Sequence, residues 1–289
     1  MGKGIVRHGV LYRRCIGRNR PVTRTRQTEN FPVGSWLIAP AHRAAVHAFY
    51  AFARAADDIA DDPNRENADK LVLLEAFDAA LLGGDGPAEA VALREILDAR
   101  GLTIDHARHL LQAFKADASG RNCRTWSDLL AYCRYSAAPV GRFLLDLHGE
   151  NRETWLASDA LCAALQIENH LQDAAEDWFN LRRLYVPGDM LARADLTERD
   201  LLAAQISPAL RDVYDKLLDR VDGLNAQAAA LPGAIKDRRM RMEAAAIVAI
   251  SHKLAARLRR QDPLAKRVAL SKLDKIGAGL SGLWAGIAR

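Results

Sequence analysis

A chain of 289 residues can build one large domain with a sizeable core. Its hydrophobic content of 49% fits a soluble globular protein and excludes a disordered or fibrous one. The formal net charge of +5 is unevenly spread. Lys3, Arg7, Arg13, Arg14, Arg18, Arg20, Arg24 and Arg26 face no acid before residue 27, and the other 33 basic residues face 36 acidic ones. The body is therefore mildly acidic, which argues against a nucleic-acid-binding body and makes residues 1–28 a flexible basic arm, read first as plain leader sequence, with anionic-lipid contact or targeting as the alternatives. Cys15, Cys123, Cys133 and Cys162 stand too far apart for a zinc or redox pair, and are read as reduced thiols in the cytoplasm. No secretory signal is expected, and no run reaches the roughly 20 apolar residues that a membrane-spanning helix needs.

The ordered part begins near Glu29, where Asn30, Ser35 and the backbone at Gly34 are candidate phosphate contacts, with helix capping as the plainer reading. Val46, Phe49, Tyr50 and Ala53 recur at three and four, which predicts a helix from about Pro40 to Asp61, stopped by Pro63-Asn64. Helices follow near 68–82, 88–99 and 103–116. Residues 126–149 read as one long helix kinked at Pro139, with Gly141 allowing something bulky to pack close. Another is expected from Asp159 to Phe179, with an exit loop through Arg183, Tyr185 and Pro187, and more near 197–203, 207–230 and 237–260. No alternating β-branched run occurs, so the fold is all-α, a single domain over residues 29–275 built around an apolar cavity. The tail, 276–289, is apolar, with Leu280, Leu283, Trp284 and Ile287 in helical register. It is short enough to dock on the body or lie in a membrane interface. Gly277-Ala-Gly279-Leu-Ser-Gly282 matches the dinucleotide fingerprint, but no strand precedes it and too little chain follows for a βαβ unit. No nicotinamide cofactor is expected.

Two acidic stripes need a reason. Gln166, Asn169, Asp173 and Asp177 fall three, four and four apart, on one face of a helix. Asp57 and Asp61 share a face one turn apart, below Tyr50 and Arg54. Carboxylates so placed repel unless something cationic sits between them. Two such pairs facing each other across a cavity suit Mg2+, a hard cation that bridges carboxylates and substrate phosphates. Asp57, Asp61, Asp173 and Asp177 are the expected ligands, for more than one ion. Arg54, Arg183 and Lys266 or Arg267 are placed to neutralise the rest of a diphosphate. An apolar cavity behind that rim suits a long hydrocarbon, with Phe49, Tyr50 and Tyr135 offering π faces to a carbocation.

These motifs carry a resemblance. Asp57-Asp58-Ile-Ala-Asp61-Asp62 beneath Tyr50 and Arg54, and Gln166-x-x-Asn169-x-x-x-Asp173-x-x-x-Asp177 followed by Arg183-Leu-Tyr185, resemble the two aspartate motifs of the squalene/phytoene synthase family. The resemblance runs from about Asn30 to Lys272. It implies an α-helical isoprenoid-synthase domain, Mg2+ and prenyl diphosphate substrates joined head to head, with Gln166, Asn169, Arg183 and Tyr185 among the substrate contacts. Asn30 to Leu37 and Tyr132-Cys-Arg134-Tyr-Ser136-Ala-Ala-Pro139-Val-Gly141 are similar to the hydroxysqualene-forming branch, which takes presqualene diphosphate and water and uses no reductant. Arg134 stands where condensing members carry Tyr, and Gln172 where they often carry Arg. Arg134 is therefore expected to face a preformed diphosphate.

The competing readings are a condensing enzyme of the same family, a di-iron helix bundle and an inactive scaffold. No Glu-x-x-His pair occurs for the di-iron site, and a scaffold has no use for four retained aspartates. Expected partners are the prenyl diphosphate, other enzymes of squalene biosynthesis and a peripheral membrane surface.

Overall fold

The computed structural model describes residues 38–287. The basic arm and the candidate contacts Asn30 and Ser35 lie outside the described residues. Within them the chain is helical, with no strand. In order the helices are α1 (Pro40–Asp61), α2 (Asn67–Leu81), α3 (Ala88–Asp98), α4 (Asp105–Ala118), α5 (Trp126–Ser136), α6 (Ala138–Leu147), α7 (Trp155–Glu176), α8 (Gly188–Ala192), α9 (Pro208–Ala228), α10 (Leu231–Ala234), α11 (Arg238–Arg260) and α12 (Lys272–Ile287).

Local chemistry sets the ends. Thr125 caps α5 reciprocally: its hydroxyl accepts from the Asp128 amide at 3.2 Å, and the Asp128 carboxylate accepts from the Thr125 amide at 2.9 Å. Ser207 and Asp237 cap α9 and α11 through their side chains. The expected long helix over 126–149 is two helices, broken at Ala137 (φ −125°, ψ −48°). Pro139 explains the break: it has no N–H to continue α5, but fits the first turn of α6. The segment expected as a helix near 197–203 is a single tight turn, Glu198–Leu202.

Of three apolar clusters among the described residues, the two largest lie beside the acidic helices. Phe49, Phe52, Leu74, Phe77, Leu93, Leu110 and Phe143 fill the space between α1–α4 and α6. Leu129, Ile167, Leu171, Val213, Tyr214, Leu217 and Leu254 fill that between α5, α7, α9 and α11. Each fully buried Phe or Leu contributes about 2–3 kcal/mol, so either half is well supplied. α1 packs on α2, α3 and α4; α7 packs on α5, α6, α9 and α11. The two acid-bearing helices thus belong to different cores.

The apolar tail is the continuation of α12, which lies along α11. The glycines of the misleading fingerprint allow the contact. A Cβ on Gly282 would fall 2.6 Å from the Met242 carbonyl oxygen, and one on Gly277 would fall 2.5 Å from Lys253 Nζ.

Candidate active site

The second acidic motif runs down the C-terminal half of α7. Asp173 and Asp177 are buried; Gln166 and Asn169 are half-buried on the same stripe. After Glu176 the helix widens into one turn of i→i+5 bonding, Asp177–Leu181, a feature common at functional positions. It ends at Arg182, whose φ of 56° is left-handed. A non-glycine residue there costs on the order of 1–2 kcal/mol, and the sharp reversal sends Arg183 back toward α1.

Arg183 joins the motifs. Its guanidinium donates to Asp61 Oδ1 of α1 and, at 2.8 Å, to the Ala60 carbonyl. Burial alone would lower its pKa, but the charges of Asp117 and Asp61 and the hydrogen bond to Asp61 raise it above the ordinary arginine value. The exit loop continues to Tyr185, whose ring stacks on His170 with centroids 3.7 Å apart. His170 sits one turn below Gln166, with its Nε2 3.1 Å from the Gln166 amide nitrogen. Its other ring nitrogen, Nδ1, faces Asp177 Oδ2 at 3.8 Å. Through Arg183, the exit-loop backbone, Tyr185 and His170, Asp61 and Asp177 belong to one connected set.

The other expected residues fall around it. Arg54 pairs with Asp57 at 3.3 Å and Asp58 at 2.5 Å. Arg267 grips Asp173 with contacts of 2.7 and 3.3 Å, while Lys266 is exposed beside it. Gln172, singled out as a departure, turns away and donates to the Val268 carbonyl, tying α7 to the segment that carries Arg267. Tyr50 is half-buried on α1. Phe49 is committed to the core, stacked on Phe143 at 4.1 Å. Tyr135 meets His109 edge-on. Arg134 is exposed on α5, whereas Tyr132, two residues earlier, enters the connected set.

Three residues were missed by sequence reasoning. Asp117 accepts from the Tyr132 hydroxyl at 2.8 Å and the Tyr185 hydroxyl at 3.0 Å. Burial pushes its pKa up to about 6, against the opposing pull of Arg183 and the two hydroxyls. Tyr132 shares this contact. Lys70, on α2, is buried near Arg183, Asp61 and Asp62. Burial lowers its pKa and Arg183 adds to that, while the two aspartates oppose. For Asp117 a signal existed: it follows Leu110, Ala113 and Phe114 on the apolar stripe of α4.

The donor set is all hard oxygen, which fits a divalent cation such as Mg2+. Among the described residues no three His, Cys, Asp or Glu side chains gather at one point. Each acidic pair instead has an arginine on it.

Helices throughout the described residues, with a buried arginine beyond the second acidic motif bonding an aspartate of the first, define an all-α isoprenoid synthase. The profile of the squalene/phytoene synthase family matches residues 24–274, and the chain belongs to that family of enzymes. It is 44% identical over 256 residues to a hydroxysqualene synthase of Sinorhizobium fredii, covering 88% of each chain. It is 43% identical over 267 residues to a hydroxysqualene synthase of Rhodopseudomonas palustris, covering 92% of this chain and 91% of that one. A squalene synthase structure from Alicyclobacillus acidocaldarius superposes with a TM-score of 0.71 at 28% identity, over 88% of this chain and 94% of that one.

Proposed function

We propose that this enzyme converts presqualene diphosphate and water to hydroxysqualene and diphosphate, a step of hopanoid-type squalene biosynthesis. One observation carries the reading: Arg183, from the end of the second acidic motif, bonds Asp61 of the first. This contact supports reading the two motifs and a buried cation as parts of one site. The hydroxysqualene synthases that match nearly the whole chain support it.

Asp57 and Asp61 on one side and Asp173 and Asp177 on the other would hold Mg2+, which when bound supplies positive charge for the departing diphosphate. Arg54, Arg183 and Arg267 exchange carboxylate partners for phosphate oxygens, which suit a guanidinium fork equally well. Lys70 adds a further cation behind Arg183. The C–O bond breaks with its electron pair leaving on diphosphate. The carbocation rearranges away from water along the apolar walls. Water then adds to carbon and gives up a proton, forming the alcohol.

Purified full chain given presqualene diphosphate and Mg2+ should release hydroxysqualene, and Asp173→Asn should lose at least about 100-fold in kcat without losing its fold. Product from farnesyl diphosphate alone, with none from presqualene diphosphate, would assign the chain to the condensing enzymes. A phytoene synthase of Mycobacterium tuberculosis, 31% identical over 175 residues, keeps that second reading in view.

The protein is also proposed to touch an anionic membrane surface through α12. No described helix is long and apolar enough to cross a membrane. Yet Leu273, Ile276, Leu280 and Trp284 are 59–79% exposed along one face of α12. From Lys253 to Lys275 the chain has eight basic residues against two acids. An apolar stripe beside basic charge suits anionic lipid, where such a substrate resides.

A further inference from the structure

The chemistry above gives Asp117 no task, although it is 7% exposed and lies at the heart of the connected set. Its oxygens are both engaged, Oδ2 by Tyr132 of α5 and Oδ1 by Tyr185 of the exit loop. The two hydroxyls stand 3.3 Å from each other. Three segments distant in sequence are pinned at one carboxylate. A carboxylate this deep is tolerated only where donors and a neighbouring cation replace the water it has lost. Here two hydroxyls donate, and the charge of Arg183 acts across a short gap.

Tyr185 is the lever. Its hydroxyl is held by Asp117, its ring is held against His170, and it stands two residues beyond Arg183. The Arg182 reversal leaves this loop strained, so something must fix it on the far side of Arg183. The Leu184 amide adds one tie, donating to Asn122 Oδ1 at 2.8 Å. Asp117 supplies the buried, charged one.

We infer that Asp117 is a positioning residue for Arg183. Through the Tyr132 and Tyr185 hydroxyls it clamps the exit loop so that the guanidinium stands at the edge of the first acidic motif, where it meets the diphosphate. The inference rests on the diphosphate reading of the site. Loss of the clamp frees Arg183 to wander and weakens the grip on diphosphate, without removing any group that touches it.

The test is calorimetric binding of inorganic pyrophosphate with Mg2+ to the full chain, for the wild type, Asp117→Asn, Arg183→Lys and the double variant. Asp117→Asn keeps the volume and loses the charge. Its pyrophosphate affinity should drop about tenfold, as for loss of one charged hydrogen-bonded contact. KM for presqualene diphosphate should rise by a similar factor with kcat within about threefold, the pattern of weakened uniform binding. In the double variant the losses should fall short of the product of the single ones, because both act through one group. Fully multiplicative losses, or wild-type affinity in Asp117→Asn, overturn the inference and leave the diphosphate reading standing. A wild type that does not bind pyrophosphate sinks that reading and the inference with it. Should Asp117→Asn fail to fold, Tyr132→Phe deletes one of the two donors without a cavity and enters the same cycle with the same expected coupling.

Discussion

Arg183 illustrates how one side chain serves two ends. As a buried partner of Asp61 it holds α1 to the exit loop of α7; in the proposed reaction it is also the cation that meets a phosphate. A second buried acid does purely structural work. Glu168 is fully buried where α7, α9 and α11 meet, with Ser251 Oγ 2.8 Å from its Oε1 and 2.8 Å from Asn225 Oδ1. The hydroxyl has one proton for two oxygens, and a proton on Glu168 completes the set. Burial accordingly holds its pKa well above the carboxylate range. Because the folded pKa is raised, this group's contribution to stability is full below about pH 4.5 and declines as the pH rises. Glu168→Gln is permanently neutral, so its thermal midpoint should gain on the wild type with rising pH; parallel profiles would contradict this. At this scale the sequence was half legible. The four aspartates were singled out by spacing and Arg54 and Arg183 by their charge, whereas Tyr185 came only with the family resemblance. Lys70 gave no signal, because a single charge on an amphipathic helix reads as solvated until the opposing helix is known; Asp117 gave one, its place on the apolar stripe of α4, that went unread. Arg134 was chosen for its difference from relatives, yet it is Tyr132 on the neighbouring face that turns inward.

At the scale of elements, the placement of α7 decides where Gln166, Asn169, Asp173 and Asp177 stand. α6 sets it on one side by close approach at Gly141. A Cβ there would come within 2.8 Å of Cys162 Sγ and meet Ser158 Oγ as well. Gly141→Ala should therefore cost about 1–3 kcal/mol by overpacking. Thermal melts should show most of that recovered when Ser158→Ala and Cys162→Ala are added, and a loss unmoved by those changes would argue against close packing as its cause. The small residue was legible, and so was Pro139, but the outcome at Pro139 was not. A proline in a long periodic stretch reads equally as a kink or a boundary, and only the Ala137 backbone shows that the chain stops and restarts. The widened turn at Asp177 and the left-handed Arg182 carry no local signature at all; the packing of Arg183 and Tyr185 imposes them.

At the scale of the molecule, two cores each hold one acidic helix, and the proposed site lies where Arg183 bonds Asp61. Periodicity gave the all-α class, but the pairing of α1 with the exit loop of α7, 122 residues away, is a property of the whole. The outer face of α12 is the other whole-molecule feature. Full chain should float with vesicles containing phosphatidylglycerol, and Leu280→Ser with Trp284→Ser should abolish flotation while leaving the fold intact. Equal flotation of both proteins would remove α12 from that role. The central claim is that the joined acidic motifs release diphosphate from a preformed substrate and let water finish the reaction. Mass spectrometry of the product formed from presqualene diphosphate in heavy-oxygen water tests it directly. The account predicts an alcohol whose one oxygen is fully labelled; an unlabelled product, or a hydrocarbon without oxygen, would contradict it.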